Sequence, residues 1–491
     1  VDAMRSSVAP RVRVVAVDGF ESPYRLRLPF RFGAVTITEG RQAIVRVRVR
    51  FEDGHEAEGY AAEALAAKWF DKSPELSDAQ NLDQLRAALA NAREAYLAAG
   101  PATPFALFAD HYRPLQDAGL AMGLQPLVSA YGPALLDRAV FDALCRHRGL
   151  SFSQAMRANL AGMGAHAVVP ELQGFDLDAF LAALQPLQRL HVRHTVGLLD
   201  PIVAADQTAG ERVGDGLPET LEEVVAVYGN RYFKLKLSGR GDADLDRLCR
   251  IAAVLDTVSG GLQLTLDGNE QFADAQAVAA FWQRMAAEPR LRKLCAATLF
   301  IEQPVARARA LTQPIADAAL GRPVIIDESD GSLDAFPLAR SLGYAGVSTK
   351  ACKGFYKSLI NLARCRRWND ATPGHPYFMS AEDLTTQPGT SLQQDLALVA
   401  LMGIGHVERN AHHFIDGFDR RPVEEAEAFL RAHPDLYHRM DWRVRLRVAD
   451  GRIAVGSLET PGFGTSVSPV LDDAAPMPAA DWPPRGASGV D

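Results

Sequence analysis

The sequence predicts an α/β chain: a TIM-type (β/α)7-8 barrel behind an N-terminal α+β domain. From about Leu190 onward, short apolar runs ("FKLKL", "LQLTLDGN", "ATLFIEQP", "RPVIIDESD", "AGVSTKACKG") alternate with amphipathic helical segments. That rhythm is the mark of right-handed βαβ units in a parallel sheet, and about eight such units fit a closed barrel better than an open sheet. Ahead of them, residues 11 to about 63 read as strand and then give way to helices.

In order, "RVRVVAVDGF" alternates with period two, and "QAIVRVRVRFEDGHEAEGYAAE" alternates around Asp53-Gly54, a hairpin signal. "NLDQLRAALANAREAYLAAG" repeats leucine and alanine at helical spacing, and "LLDRAVFDALCRHRGL" is a further amphipathic helix ending at Gly149. Segments 99–130 and 163–186 are read as extra helices and loops. The tail "DWRVRLRVADGRIAVGSLETPGFG" returns to strand, expected beside the N-terminal domain, and the Pro/Ala-rich residues after Asp472 are expected to be extended. The expected division is a disordered lead-in over 1–10, an α+β domain over 11–135, the barrel over 136–440, and a returning segment over 441–491.

An apolar fraction of 48%, a charged fraction of 23% and a net charge of −8 are those of an ordinary globular protein. With no long basic block, nucleic acid and anionic membranes are poor partners. The five cysteines are never at Cys-x-x-Cys spacing, which argues against a disulfide framework or a thiolate zinc site. The expectation is a cytoplasmic protein without signal peptide or spanning segment.

In a parallel barrel, functional groups sit at the carboxyl ends of the strands. The strand-end side chains are Lys234 and Lys236, Asp267, Glu302, Asp327, Lys350 and, in the eighth-strand position, Glu408. Lys234 and Lys236 share one strand face, and two ammonium groups so placed need a compensating partner or a catalytic use. Three consecutive strands offer one carboxylate each, and these cannot all stay ionised together without a cation. Oxygen ligands alone suit a hard ion such as Mg²⁺. Singly, "DGN" or "DES" is more often a turn or helix cap; jointly, five consecutive strand ends of the required charge point to a site. His191 and His194 fall on opposite strand faces, and "NAHHF" reads as a loop.

"FKLKL", "LDGNEQF", "FIEQP", "IIDESD" and "VSTKACKG" together resemble, in order and spacing, the signature of the enolase superfamily, with the muconate-lactonizing-enzyme-like subgroup as the nearest pattern. The resemblance makes the N-terminal domain a capping domain. It implies Asp267, Glu302 and Asp327 as Mg²⁺ ligands, Lys236 and Lys350 as acid/base groups on opposite substrate faces, and Lys234 beside the substrate carboxylate. Glu328 and Asn269 would orient these groups, and Glu408 would face the developing enolate. The implied reaction removes the proton α to a carboxylate to form a metal-stabilised enediolate, by a lysine whose pKa is lowered from its ordinary value of about 10.4. The outcome would be racemisation, epimerisation or cycloisomerisation, with syn elimination or a non-catalytic carboxylate-binding barrel as alternatives. A homo-oligomer is the family's habit. The absence of histidine from the seventh strand, "YFMSAED", argues against the mandelate-racemase pattern.

Overall fold

The computed structural model describes residues 9–483 apart from 165, 317–319, 375 and 473. Residues 1–8 of the expected lead-in and 484–491 of the expected extended tail lie outside the described residues. Three long strands, β1 (Val12–Phe32), β2 (Val35–Phe51) and β3 (Glu56–Ala64), form an antiparallel meander. Along β2, Val45, Val47 and Val49 are fully buried. Arg46, Arg48 and Arg50 face the other way and pair with Asp18 and Glu56, the alternation of a half-buried sheet. Gly54, at φ +85°, supplies the β2–β3 turn.

Of three long helices in chain order, the first, Asp78–Ala98, and the third, Tyr131–Arg148, cover the meander, and the second, Pro104–Ala121, packs against both. The first starts at a capping box of Ser77 and Gln80. The third lies so close to β3 that a Cβ at Gly59 would come within 2.0 Å of the Ala139 carbonyl oxygen, an approach only glycine allows. It ends at Gly149, in the left-handed conformation at φ 63°.

The barrel strands are β4 (Arg189–Val196), β5 (Tyr232–Lys236), β6 (Gln263–Asp267), β7 (Thr298–Glu302), β8 (Val324–Ile326), β9 (Gly346–Thr349), β10 (Phe378–Ala381) and β11 (His406–Arg409). They pair in parallel in sequence order, and β11 pairs back to β4, so the eight-stranded ring is closed. The register sets Lys236 opposite Asp267 and Asp267 opposite Glu302, which brings those side chains to one level of the same face.

The tail departs from expectation. β12 (Tyr437–Met440) and β13 (Arg443–Leu446) form their own hairpin, and β14 (Arg452–Ala454) pairs antiparallel with β4 of the barrel, not with the N-terminal sheet. The reason is an overhang: β11 engages β4 only from His191, and β5 only from Arg193, leaving the first residues of β4 free to accept β14. The chain reaches the N-terminal domain later. Phe463 stacks on Phe152, Arg146 donates to the Thr465 carbonyl, and β15 (Ala475–Pro476) joins β1. All five cysteines are buried and unpaired. No helix among the described residues is long and apolar enough to cross a membrane.

Candidate active site at the carboxyl ends of the barrel strands

Every strand-end residue singled out in the sequence is buried at one end of the barrel. Lys236 Nζ donates to Asp267 Oδ2 at 2.6 Å. Across the ring, Lys350 Nζ contacts both oxygens of Asp327, at 2.7 and 2.6 Å. Lys234 Nζ touches four carboxylates: Asp267 at 2.9 Å, Glu302 at 2.7 Å, Glu382 at 2.7 Å and Glu408 at 3.0 Å. The resemblance puts this lysine beside a substrate carboxylate; here four of the protein's own carboxylates enclose it.

Asn269, Glu328 and Glu408 make the following contacts. The Asn269 backbone N–H donates to Asp267 Oδ1 at 2.9 Å, and its side-chain amide donates to Glu328 Oε1 at 3.2 Å. Glu408 accepts from Thr195 Oγ1 at 2.6 Å and Asn410 Nδ2 at 3.1 Å. Glu302 is the exception: it is fully buried, and neither carboxylate oxygen accepts a hydrogen bond. As placed, no three acidic, histidine or cysteine side chains among the described residues form a ready-made metal cluster; ammonium groups lie against the strand-end carboxylates.

The electrostatics follow from this crowding. Burial opposes charge on Lys234, yet Asp267, Glu302, Glu382 and Glu408 together hold it well above the ordinary lysine value. Lys350 is likewise raised, burial being outweighed chiefly by Asp327. In both cases the excess of neighbouring carboxylates outweighs burial. Despite burial, Asp327 is held well below the carboxylate range by Lys350 and Lys353, and Asp267 is lowered by Lys234 and Lys236. Glu302 goes the other way, pushed well up by burial and then by Asp267 and Glu382.

Sequence reasoning missed two participants. Glu382 directly follows β10 and pairs with Arg193 of β4 as well as with Lys234. Applied to "FMSAE", the strand-end rule would have found it. Lys353 Nζ lies 2.8 Å from Asp327 Oδ1; its signal was its place one helical turn past Lys350. The "NAHHF" stretch is also corrected: Ala411–Phe414 is a helical turn with His412 and His413 buried, packed on His194. It makes a compact wall outside the lysine–carboxylate cluster.

The N-terminal domain roofs the site. Phe30, Phe32, Ile37 and Trp69 meet Lys236 and Lys350 around a cavity of about 30 Å³, room for about two water molecules. A cavity of about 800 Å³ adjoins it and shares Ile37, Ala66 and Trp69, which form the partition. The Trp69 segment is tied to the barrel by Arg307, which donates to the carbonyl oxygens of Phe70 at 2.6 Å and Trp69 at 3.0 Å. Arg307 pairs with Glu270, and Lys72 bridges Glu270 at 2.7 Å and Glu328 at 2.8 Å.

No protein-family model matches the chain, and no curated protein sequence does. Solved structures do match. The 2-chloromuconate cycloisomerase of Rhodococcus opacus superposes with a TM-score of 0.59 at 15% identity, over 93% of this chain and 97% of that one. A muconate lactonizing enzyme of Pseudomonas fluorescens, complexed with muconolactone, gives 0.56 at 14% identity over 93% and 97%. A dipeptide epimerase of Enterococcus faecalis, complexed with Mg and the dipeptide L-Leu-L-Tyr, gives 0.56 at 14% identity over 92% and 99%. The likeness is one of fold: the chain has the capped-barrel fold of the enolase superfamily, shared with muconate-lactonizing enzymes and dipeptide epimerases.

Proposed function

We propose that this chain is a Mg²⁺-dependent isomerase that moves the proton α to a substrate carboxylate, as a racemase, epimerase or cycloisomerase. One observation carries the reading. Lys236 ends β5 and Lys350 directly follows β9, four strands apart in a closed ring of eight, which sets them on opposite sides of the barrel mouth. Each is hydrogen-bonded to an acid, Asp267 or Asp327, that could also serve a cation.

The donor set fits a hard cation. Glu302 has a buried carboxylate with no hydrogen bond, between strands that carry Asp267 and Asp327, and oxygen-only ligation suits Mg²⁺. Asp267, Glu302 and Asp327 would hold it. When bound, the ion supplies the positive charge that stabilises a carboxylate as its α-carbon becomes anionic.

The chain's own groups do the rest. Lys236 serves one face of the α-carbon and Lys350 the other, one accepting the proton and the other delivering one in a racemisation. Lys350 is held in place by its contacts with both oxygens of Asp327. Asn269 fixes Asp267, while Glu328 with Lys72 fixes Asn269. The apolar roof of Phe30, Phe32 and Trp69 excludes water, which strengthens every charge interaction beneath it. The inner cavity is too small for a carboxylate substrate, so the roof has to open for entry, and the distal part of the substrate extends past Trp69 into the outer cavity.

The test is α-proton exchange in D₂O, followed by NMR, over a library of N-acyl amino acids, dipeptides, and unsaturated or hydroxy diacids, with and without Mg²⁺. Metal-dependent loss of an α-proton signal is expected for at least one class. Tight binding of a carboxylate that keeps its α-proton would point instead to a non-catalytic binding barrel.

A further inference from the structure

Resting on the proposed Mg²⁺ site, we infer that Glu382 is a positioning residue: with Glu408 it hydrogen-bonds the Lys234 ammonium and so limits that ammonium's hold on Asp267 and Glu302, whose oxygens a divalent cation would need. An ammonium has three N–H donors, and Lys234 faces four carboxylates. Its hydrogen bonds go to Glu382 at 2.7 Å and Glu408 at 3.0 Å. It also forms ion pairs with Asp267 at 2.9 Å and Glu302 at 2.7 Å, and Glu302 accepts no hydrogen bond from it. Lys234 is thus shared between Glu382 and Glu408 on one side and the two proposed ligands on the other.

The docking acids are themselves anchored. Glu382 accepts from Ser380 Oγ at 2.5 Å and pairs with the buried guanidinium of Arg193. Glu408 is held by Thr195, Asn410 and the Asp383 backbone N–H. Glu302, by contrast, has no hydrogen bond at all. Remove one dock, and the lysine, on its flexible four-carbon stem, has Asp267 and Glu302 as its nearest remaining partners. It then competes with the ion for the same oxygens.

The test is calorimetric titration of the full chain with Mg²⁺ alone, for wild type, Glu382→Gln, Lys234→Met and the double variant. Glu382→Gln is expected to weaken Mg²⁺ binding by about 10–100-fold, the usual effect of losing a group that orients a ligand set. Lys234→Met should bind at least as tightly as wild type, and adding Glu382→Gln to it should change little. Glu382→Gln leaves Arg193 without its acid, so Glu408→Gln, whose loss strands no arginine, is run in both backgrounds and should show the same dependence on Lys234. Near-ultraviolet circular dichroism checks that each variant folds. Equal weakening with and without Lys234, or weaker binding by Lys234→Met, would overturn the inference while leaving the metal site standing. Failure of both wild type and Lys234→Met to bind Mg²⁺ would instead overturn the proposed function, and this inference with it.

Discussion

The Lys350 ammonium lies 4.7 Å from the centre of the Trp69 ring. A residue of the N-terminal domain therefore closes directly on a lysine of the barrel, and Lys353 lies 5.9 Å from the same ring. Assembly of the site depends on the two domains meeting in register, which the Arg307 and Lys72 contacts enforce.

Trp69→Leu should lower kcat/KM by about 2- to 30-fold, the range of a cation–π contact of roughly 0.5–2 kcal/mol. Trp69→Phe keeps a π face and should lose less. Steady-state kinetics on whichever substrate exchanges its α-proton checks both.

Glu270 ties the roof to the barrel, and its carboxyl is lowered to about 2: burial opposes the shift, and Arg307 and Lys72 outweigh it. A depressed acid stabilises the fold at pH values above its unfolded pKa, here about 4.5, and that contribution is lost as pH falls from there towards 2. Glu270→Gln should therefore cost up to about 3 kcal/mol at pH 7 and progressively less in acid. Urea unfolding of both proteins at pH 7 and pH 3.5 measures the difference.

Asp137 shows the opposite sign. It lies on the helix against the N-terminal sheet, and burial raises it to about 8 although Tyr96 donates to it at 2.7 Å. The folded state then binds a proton that the unfolded state has released, so stability declines as pH rises from about 4 towards 8. Asp137→Asn keeps the acceptor for Tyr96 and removes the titration. It should gain up to about 5 kcal/mol at pH 9 and nearly nothing at pH 4, read from urea midpoints.

Mg²⁺ should raise the melting temperature of the wild type, since a ligand at 100 times its Kd adds about 2.7 kcal/mol. Asp327→Asn should abolish that gain. It should also melt lower without metal, because Lys350 and Lys353 lose the carboxylate they share. Differential scanning calorimetry with Mg²⁺ and with EDTA separates the two effects.

Much of this was legible because charge at a strand end is a local property. Asp267, Glu302, Asp327 and Lys350 each terminate or directly follow an apolar run, and β-strand parity then decides the face. The barrel was legible for the same reason, its strands being short, buried and separated by helices. Pairing between distant segments was not. The overhang of β4 that recruits β14 depends on where β5 and β11 begin to pair, which no local pattern records. Glu382 was passed over because "SAED" puts two adjacent acids at the end of the seventh barrel strand.

The most direct measurement of the central claim is α-proton exchange in D₂O with Mg²⁺, comparing wild type with Lys236→Ala and Lys350→Ala. Exchange by the wild type that falls by at least about 100-fold in each variant, the scale of a lost general acid or base, is the predicted result. Exchange that persists undiminished in both variants, with their folds intact, would contradict it.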